Sequence, residues 1–250
     1  MAQPRYREPK RLSMYEARVF SQNGEDGAIA EIFRRIGTTN QYFVDFGSSD
    51  GMQNNTVFLL KNGWRGLWID GDQASVESAR SYFAYEVSKA RLTITQAFIT
   101  AENIEELFRD ADVPSEFDLL SVDIDRNDYY VWEAIRSFSP RVAIVEYNAA
   151  IPQAADWTVE YDSDRWWDGT VNYGASLRAL ERLGREKGYS LVGCDVAGIN
   201  AFFVRNDLLG DHFAAPFTTD NHYEPARYSL TLPFDGHIRR PERVPVEAAK

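Results

Sequence analysis

A chain of 250 residues, 44% hydrophobic and 26% charged, has the composition of a globular protein and the length of one large α/β domain. A formal net charge of -11 without a clustered basic patch repels a phosphate backbone and argues against nucleic acid as a partner. The single cysteine, Cys194, excludes an internal disulfide and a cysteine-based zinc site.

Residues 1–20 are polar and Arg-rich and read as an N-terminal arm; no apolar segment follows the basic start Met1 to Arg11, as a signal peptide requires. Ser21-Gln22-Asn23-Gly24-Glu25-Asp26-Gly27 leads into a predicted helix over 28–36, where Ile29, Ile32, Phe33 and Ile36 share one face and Gly37 ends it. Strands and helices then alternate. Strands are predicted at 42–46, 66–70, 92–97, 117–123 and 141–147, with helices at 56–61, 75–88, 101–110 and 128–137 between them. Several strands lack polar alternation, which indicates a parallel sheet covered on both faces. After a helix over 175–187, the segments 189–194 and 199–205 are joined by a link too short for a crossover and form an antiparallel hairpin. Residues 207–250 are Pro-rich and irregular, a tail packing on the 21–206 domain. No apolar run approaches the roughly 18 residues of a membrane span, so the expectation is a cytoplasmic protein with no membrane partner.

The first strand ends in Asp45-Phe46-Gly47-Ser48-Ser49-Asp50-Gly51, and Asp70 closes the second strand 19 residues after Gly51. A glycine turn between a buried strand and a helix is the setting of a nucleotide site, and an acid at that distance can accept hydrogen bonds from ribose hydroxyls. The third glycine of a dinucleotide loop is absent, and Asp45 and Asp50 would repel a pyrophosphate while suiting a cationic amino group. S-adenosylmethionine (SAM) fits this loop and NAD fits it poorly.

The order of elements, the closing hairpin and this loop resemble the class I SAM-dependent methyltransferases. The phrases at 21–27, Asp50-Gly51-x-x-Asn54-Asn55-Thr56 and Val122-Asp123-Ile124-Asp125 are similar to the FkbM-like, saccharide-modifying O-methyltransferases, over roughly residues 20–206. The resemblance implies a Rossmann-like seven-stranded, mostly parallel sheet of order 3-2-1-4-5-7-6. It further implies a SAM site built from Asp45, Gly47, Ser49, Asp70 and Asp123, with Ala97 and Phe98 near the adenine and Asn55 holding the methionine part.

In that fold the fourth and fifth strands are neighbours. Alternation places Asp123 and Asp125 on one face and Glu146 and Asn148 on the matching face, so their ends converge. Carboxylates gathered in one cleft repel unless they share a cation, which makes Asp123, Asp125, Glu146 and Asn148 candidate ligands for Mg²⁺. A metal-free site with one acid as base, or a purely structural network, are the alternatives. Metal-dependent catechol enzymes, which the layout resembles, carry a lysine base three residues after the first metal acid; here that residue is Arg126, which stays protonated. His222, flanked by Asp220 and Glu224, and Asp125 are the two candidate bases. An insertion over 149–174 carries Trp157, Tyr161, Trp166, Trp167 and Tyr173 among acids, a composition suited to a sugar ring or to a packed lid.

The combined expectation is a SAM-dependent O-methyltransferase acting on a small-molecule or oligosaccharide hydroxyl, helped by Mg²⁺, with a homodimer as a possible assembly. A phenol or polyketide methyltransferase and a noncatalytic SAM-binding scaffold are the rival readings.

Overall fold

The computed structural model describes residues 4–227. Helix α1 (Glu25–Ile36) begins three residues before its apolar face because Asp26 ties down the incoming chain, its carboxylate accepting the N–H groups of Val19, Phe20 and Ser21 at 2.6–2.8 Å. Strand β1 (Tyr42–Phe46) is buried along its whole length, as a central parallel strand must be. It leads through the Gly47–Thr56 loop to the short α2 (Val57–Lys61) and then to β2 (Arg65–Asp70).

The helix predicted over 75–88 is two helices, α3 (Gln73–Tyr82) and α4 (Ala84–Ser88). The break falls at Phe83, whose ring turns inward to pack edge-on against Trp68 at 4.8 Å. Strand β3 (Leu92–Gln96) alternates buried and exposed residues, which marks it as the sheet edge. Then come α5 (Ile104–Asp110), β4 (Glu116–Val122), α6 (Asp128–Ala134) and β5 (Ser139–Glu146). After the insertion, Ser176 caps α7 (Leu177–Glu186) by accepting from the Ala179 N–H, and β6 (Tyr189–Cys194) and β7 (Asn200–Arg205) form the hairpin.

The sheet order is β3-β2-β1-β4-β5-β7-β6, with β1 to β5 parallel and β7 antiparallel to both β5 and β6. Because successive strand residues face opposite ways, the sheet supports two cores. Val44, Leu67, Leu120 and Val145 pack under α5, α6 and α7, whereas Phe43, Trp68, Leu119 and Ile144 pack under α1, α2 and α3. Cys194 is buried, as its small apolar character predicts.

The arm and the tail clasp each other across the second core. Leu12 is 1% exposed, so the arm is partly core rather than a free extension. Arg5 and Tyr6 bond the Glu224 carboxylate at 2.6 and 2.8 Å, and Arg11 reaches the Asn221 carbonyl at 3.0 Å. The chain after Thr218 forms one more helical turn, α8 (Thr219–His222). Residues 228–250 of the predicted tail, with His237, lie outside the described residues. Among the described residues no helix is long and apolar enough to cross a membrane.

Candidate functional site

All five parallel strands end at one edge, and the loops leaving them surround a cleft of about 1040 Å³. Strand β7 enters at the same edge because it runs antiparallel, and it contributes Ile199 and Asn200. The cleft brings together Asp45, Gly47, Ser49, Asn55, Asp70, Ala97, Phe98, Asp123, Asp125 and Glu146. Asn148 and His222 do not line it.

Asp45 lies at the floor, 2% exposed, where Thr56 Oγ1 donates to it at 2.8 Å and itself accepts from Trp68 Nε1 at 2.8 Å. Burial pushes its carboxyl up to about 7 against the opposing hydrogen bonds from Thr56 and Ser121, and the nearby Asp70 charge adds to the rise. Near neutral pH this acid is therefore poised between its charged and neutral forms, and a cation brought into the cleft would favour the carboxylate. Asn55 donates from Nδ2 to Ser121 Oγ at 3.2 Å, which links the α2 entry to the tip of β4.

The two loop glycines answer to protein packing as well as to the cleft. Gly47 has φ +64°, and a Cβ there would overlap the Asp123 carbonyl oxygen; at Gly51, φ +80°, a Cβ would press into the Trp68 and Phe83 rings. The loop thus sits tight against β4 and β2 before any ligand arrives. Asp70 fixes its upper part, one carboxylate oxygen accepting the Ser49 N–H at 2.7 Å and the other the Asp72 N–H at 2.8 Å. A carboxylate oxygen has more than one lone pair, so Asp70 retains acceptor capacity toward the cleft.

Strand β4 ends at Val122, so strand alternation does not carry through to Asp125 as the sequence suggested. The chain turns instead, with Asp125 in the left-handed region at φ +65°, a conformation that Asp tolerates better than most residues. The turn still brings Asp123, Asp125 and Glu146 together, with one oxygen of each within 4.8 Å of the others. Asp128, at the start of α6, is fully buried and accepts the Ile124 N–H at 2.8 Å; burial and the Asp123 charge raise its carboxyl well above the ordinary range.

Asn148 is a correction to the predicted ligand set. Its side chain donates to the Val171 and Tyr173 carbonyls at 2.8 and 3.0 Å and accepts from the Ala150 N–H at 3.1 Å. These bonds staple the two ends of the insertion to the sheet and engage both ends of the amide. His222 is the second correction. It is 3% exposed in α8, its ring nitrogen lies 3.0 Å from the Ala214 carbonyl, and burial together with the Arg11 charge lowers its pKa to about 4. A histidine away from the cleft and so reluctant to protonate cannot serve as the base. Asp125, exposed at the rim, remains.

The aromatic ring predicted for the insertion is also narrower than expected. Tyr173 is buried, Tyr161 hydroxyl bonds Glu102 at 2.6 Å, and Trp167 Nε1 donates to the Thr170 carbonyl at 2.7 Å. Only Trp166 and Arg165 of this segment line the cleft; the Trp166 indole is 69% exposed and meets Phe98 edge-on at 6.4 Å.

Sequence reasoning gave no site role to several cleft residues, among them Glu25, Asn127 and Asn200. Asn127 follows the β4 acids by two residues and could have been suspected. Glu25 lies in the 21–27 phrase that carries the resemblance, but only folding brings it to the cleft; nothing local marks Asn200.

No family model matches the chain, and no curated protein matches it. Solved structures do resemble it. PKMT2 from Rickettsia typhi aligns with a TM-score of 0.50 at 9% identity, over 77% of this chain and 55% of that one. Magnesium protoporphyrin IX methyltransferase from Synechocystis PCC 6803 with bound SAM aligns at 0.47 and 12% identity, over 72% and 77%. An O-methyltransferase from Bacillus cereus in complex with S-adenosylhomocysteine (SAH) aligns at 0.47 and 15% identity, over 70% and 76%. At such identities the likeness is one of fold: the sheet order and closing hairpin are those of the Rossmann-like methyltransferase fold.

Proposed function

We propose that the chain is a SAM-dependent O-methyltransferase whose acceptor is a hydroxyl of a saccharide or glycosylated metabolite, assisted by Mg²⁺. The observation that carries this reading is the acidic character of the cleft at the carboxyl edge of the sheet. Glu25, Asp45, Asp70, Asp123, Asp125 and Glu146 all line it, a setting that favours a cationic sulfonium and amino group and opposes a pyrophosphate. Asp70 stands at the end of β2 with its carboxylate held by two backbone N–H groups, preorganised to accept from ribose hydroxyls. Phe98 and Trp166 offer apolar faces for the adenine side.

The saccharide reading draws on the rest of the lining. Gln22, Asn23, Gln53 and Asn54 face the same cleft, and a carboxamide can both donate to and accept from a sugar hydroxyl.

When bound, SAM supplies a methyl group activated by its sulfonium, and transfer forms the oxygen–carbon bond as the carbon–sulfur bond breaks, leaving SAH. The chain's task is alignment and proton removal. Asp125, at the exposed rim and next to Asp123 and Glu146, is the group to accept the hydroxyl proton. The oxygen donors of Asp123, Asp125 and Glu146 suit Mg²⁺, which would orient the hydroxyl and lower its pKa.

The test is calorimetric titration with SAH, then transfer of a labelled methyl group to a panel of saccharides and catechols with Mg²⁺ or with EDTA. SAH binding and Mg²⁺-dependent labelling of a saccharide are expected. No SAH binding would overturn the cofactor assignment, and catechol labelling alone would overturn the saccharide assignment.

A further inference from the structure

The three clustered carboxylates are accompanied by two buried amide oxygens that the protein leaves unmatched. Asn200 stands directly opposite Glu146 in the β5–β7 register, where paired side chains lie on the same face of the sheet. It is 4% exposed, and its Nδ2 donates to Glu25 Oε1 at 2.8 Å. A carboxylate only accepts, so this bond dictates which end of the amide is nitrogen and leaves Oδ1 as the other end. That Oδ1 is buried without a hydrogen-bond partner.

Asn127 repeats the pattern. It follows Asp125 by two residues, is 2% exposed, and its Nδ2 donates to the Asp162 carbonyl at 2.9 Å. Its Oδ1 is likewise buried without a partner. Both asparagines line the cleft that holds Asp123, Asp125 and Glu146. A buried acceptor without a donor is costly, and most such groups in folded proteins find a partner in protein, water or ion. Two of them in the cleft that gathers three carboxylates point to one ligand able to satisfy all five groups.

We infer that Asn200 and Asn127 complete an all-oxygen site for a hard divalent cation around Asp123, Asp125 and Glu146. The inference deepens the Mg²⁺ part of the function proposed above and replaces Asn148 with amides from β7 and from the start of α6. The donor set contains no nitrogen or sulfur ligand, which favours Mg²⁺, Mn²⁺ or Ca²⁺ over zinc or copper. Its three carboxylates supply more negative charge than one such ion neutralises, leaving the site attractive to a cationic cofactor as well. The ligands come from the turn between β4 and α6, from the end of β5 and from the start of β7, so the ion would tie the parallel half of the sheet to its antiparallel end. The Glu25–Asn200 bond extends that tie to the first turn of α1.

The experiment is titration of the chelator-stripped full chain with Mn²⁺, free ion being read from its paramagnetic resonance signal. The wild-type protein is expected to show one saturable site. Asn200→Ala and Asn127→Ala should each weaken it about tenfold, the scale on which supporting residues tune metal sites. Asn200→Ser provides a smaller perturbation if the alanine variant fails to fold, as judged by circular dichroism, and should also bind more weakly. Absence of saturable Mn²⁺ binding by the wild-type chain overturns the inference. Unchanged affinity in folded Asn200 and Asn127 variants removes the amides from the site and leaves the carboxylates alone. SAH titration of the same preparations without metal judges the cofactor assignment separately.

Discussion

Replacing Asp70 with alanine tests the cofactor site at its most constrained point. The carboxylate has two duties: it holds the Ser49 and Asp72 N–H groups at 2.7 and 2.8 Å, and it faces the cleft with spare acceptor capacity. A hydrogen bond to a charged group contributes about 1.5–3 kcal/mol, and 1.4 kcal/mol is tenfold in affinity, so losing one ribose contact should weaken SAH about 10- to 150-fold. Release of the Ser49 loop acts in the same direction. Asp70→Asn separates the two duties only in part, because its NH₂ must face one of two backbone donors, and it too should bind less tightly. Calorimetric SAH titration supplies the affinity, and thermal melting shows whether the variant remains folded. A folded Asp70→Ala protein that binds SAH as tightly as wild type would falsify the ribose assignment.

Four further variants carry expected outcomes. His222→Gln should keep turnover close to wild type, far from the roughly 10²–10⁴-fold drop that follows loss of a general base; a drop of that size in a folded variant would restore His222 to the mechanism. Acid should weaken the fold through the same residue. Its pKa is lowered to about 4 in the folded chain, so its contribution is full above the unfolded value near 6.5 and fades as pH falls toward 4. Melting temperatures measured down that range should decline less steeply in His222→Gln. Glu16 shifts the other way. Burial and the Asp195 charge raise it to about 9, so its contribution is present below pH 4.5 and is lost as pH rises through 9. Glu16→Gln should therefore flatten the alkaline loss of stability, and an identical pH profile would refute the assignment. Gly47→Ala should destabilise the fold by at least about 1–3 kcal/mol in urea denaturation, because its Cβ meets the Asp123 carbonyl in a left-handed backbone. Asn148→Ala should expose the 149–174 segment to limited proteolysis, whereas a protease-resistant variant would mean that other contacts hold the insertion.

The elements that the sequence made legible are those with a local cause. Buried strands are runs of apolar residues, the Asp45–Gly51 turn carries its own glycines, and a link as short as 195–198 permits only a hairpin; no distant residue is needed to read them. Element ends were less legible where a tertiary contact sets them, as at Phe83, which turns inward onto Trp68 and divides one predicted helix into two.

The convergence of Asp123 with Glu146 followed from adjacent strands and a two-residue period. That period stops where a strand stops, which is why it could not fix Asp125 or Asn148: both lie past the last ladder bond, where turns decide direction. His222 appeared catalytic because acids flank it in sequence, but the arm closing over α8 buries it against Ala214. Glu25 and Asn200 are 175 positions apart and meet through one hydrogen bond. Only folding brings such residues together. The chain's own pattern determined which strands and turns form, through rules that act within a few residues; the tertiary structure decided which side chains face the cleft, because that depends on the packing of segments that sequence keeps far apart.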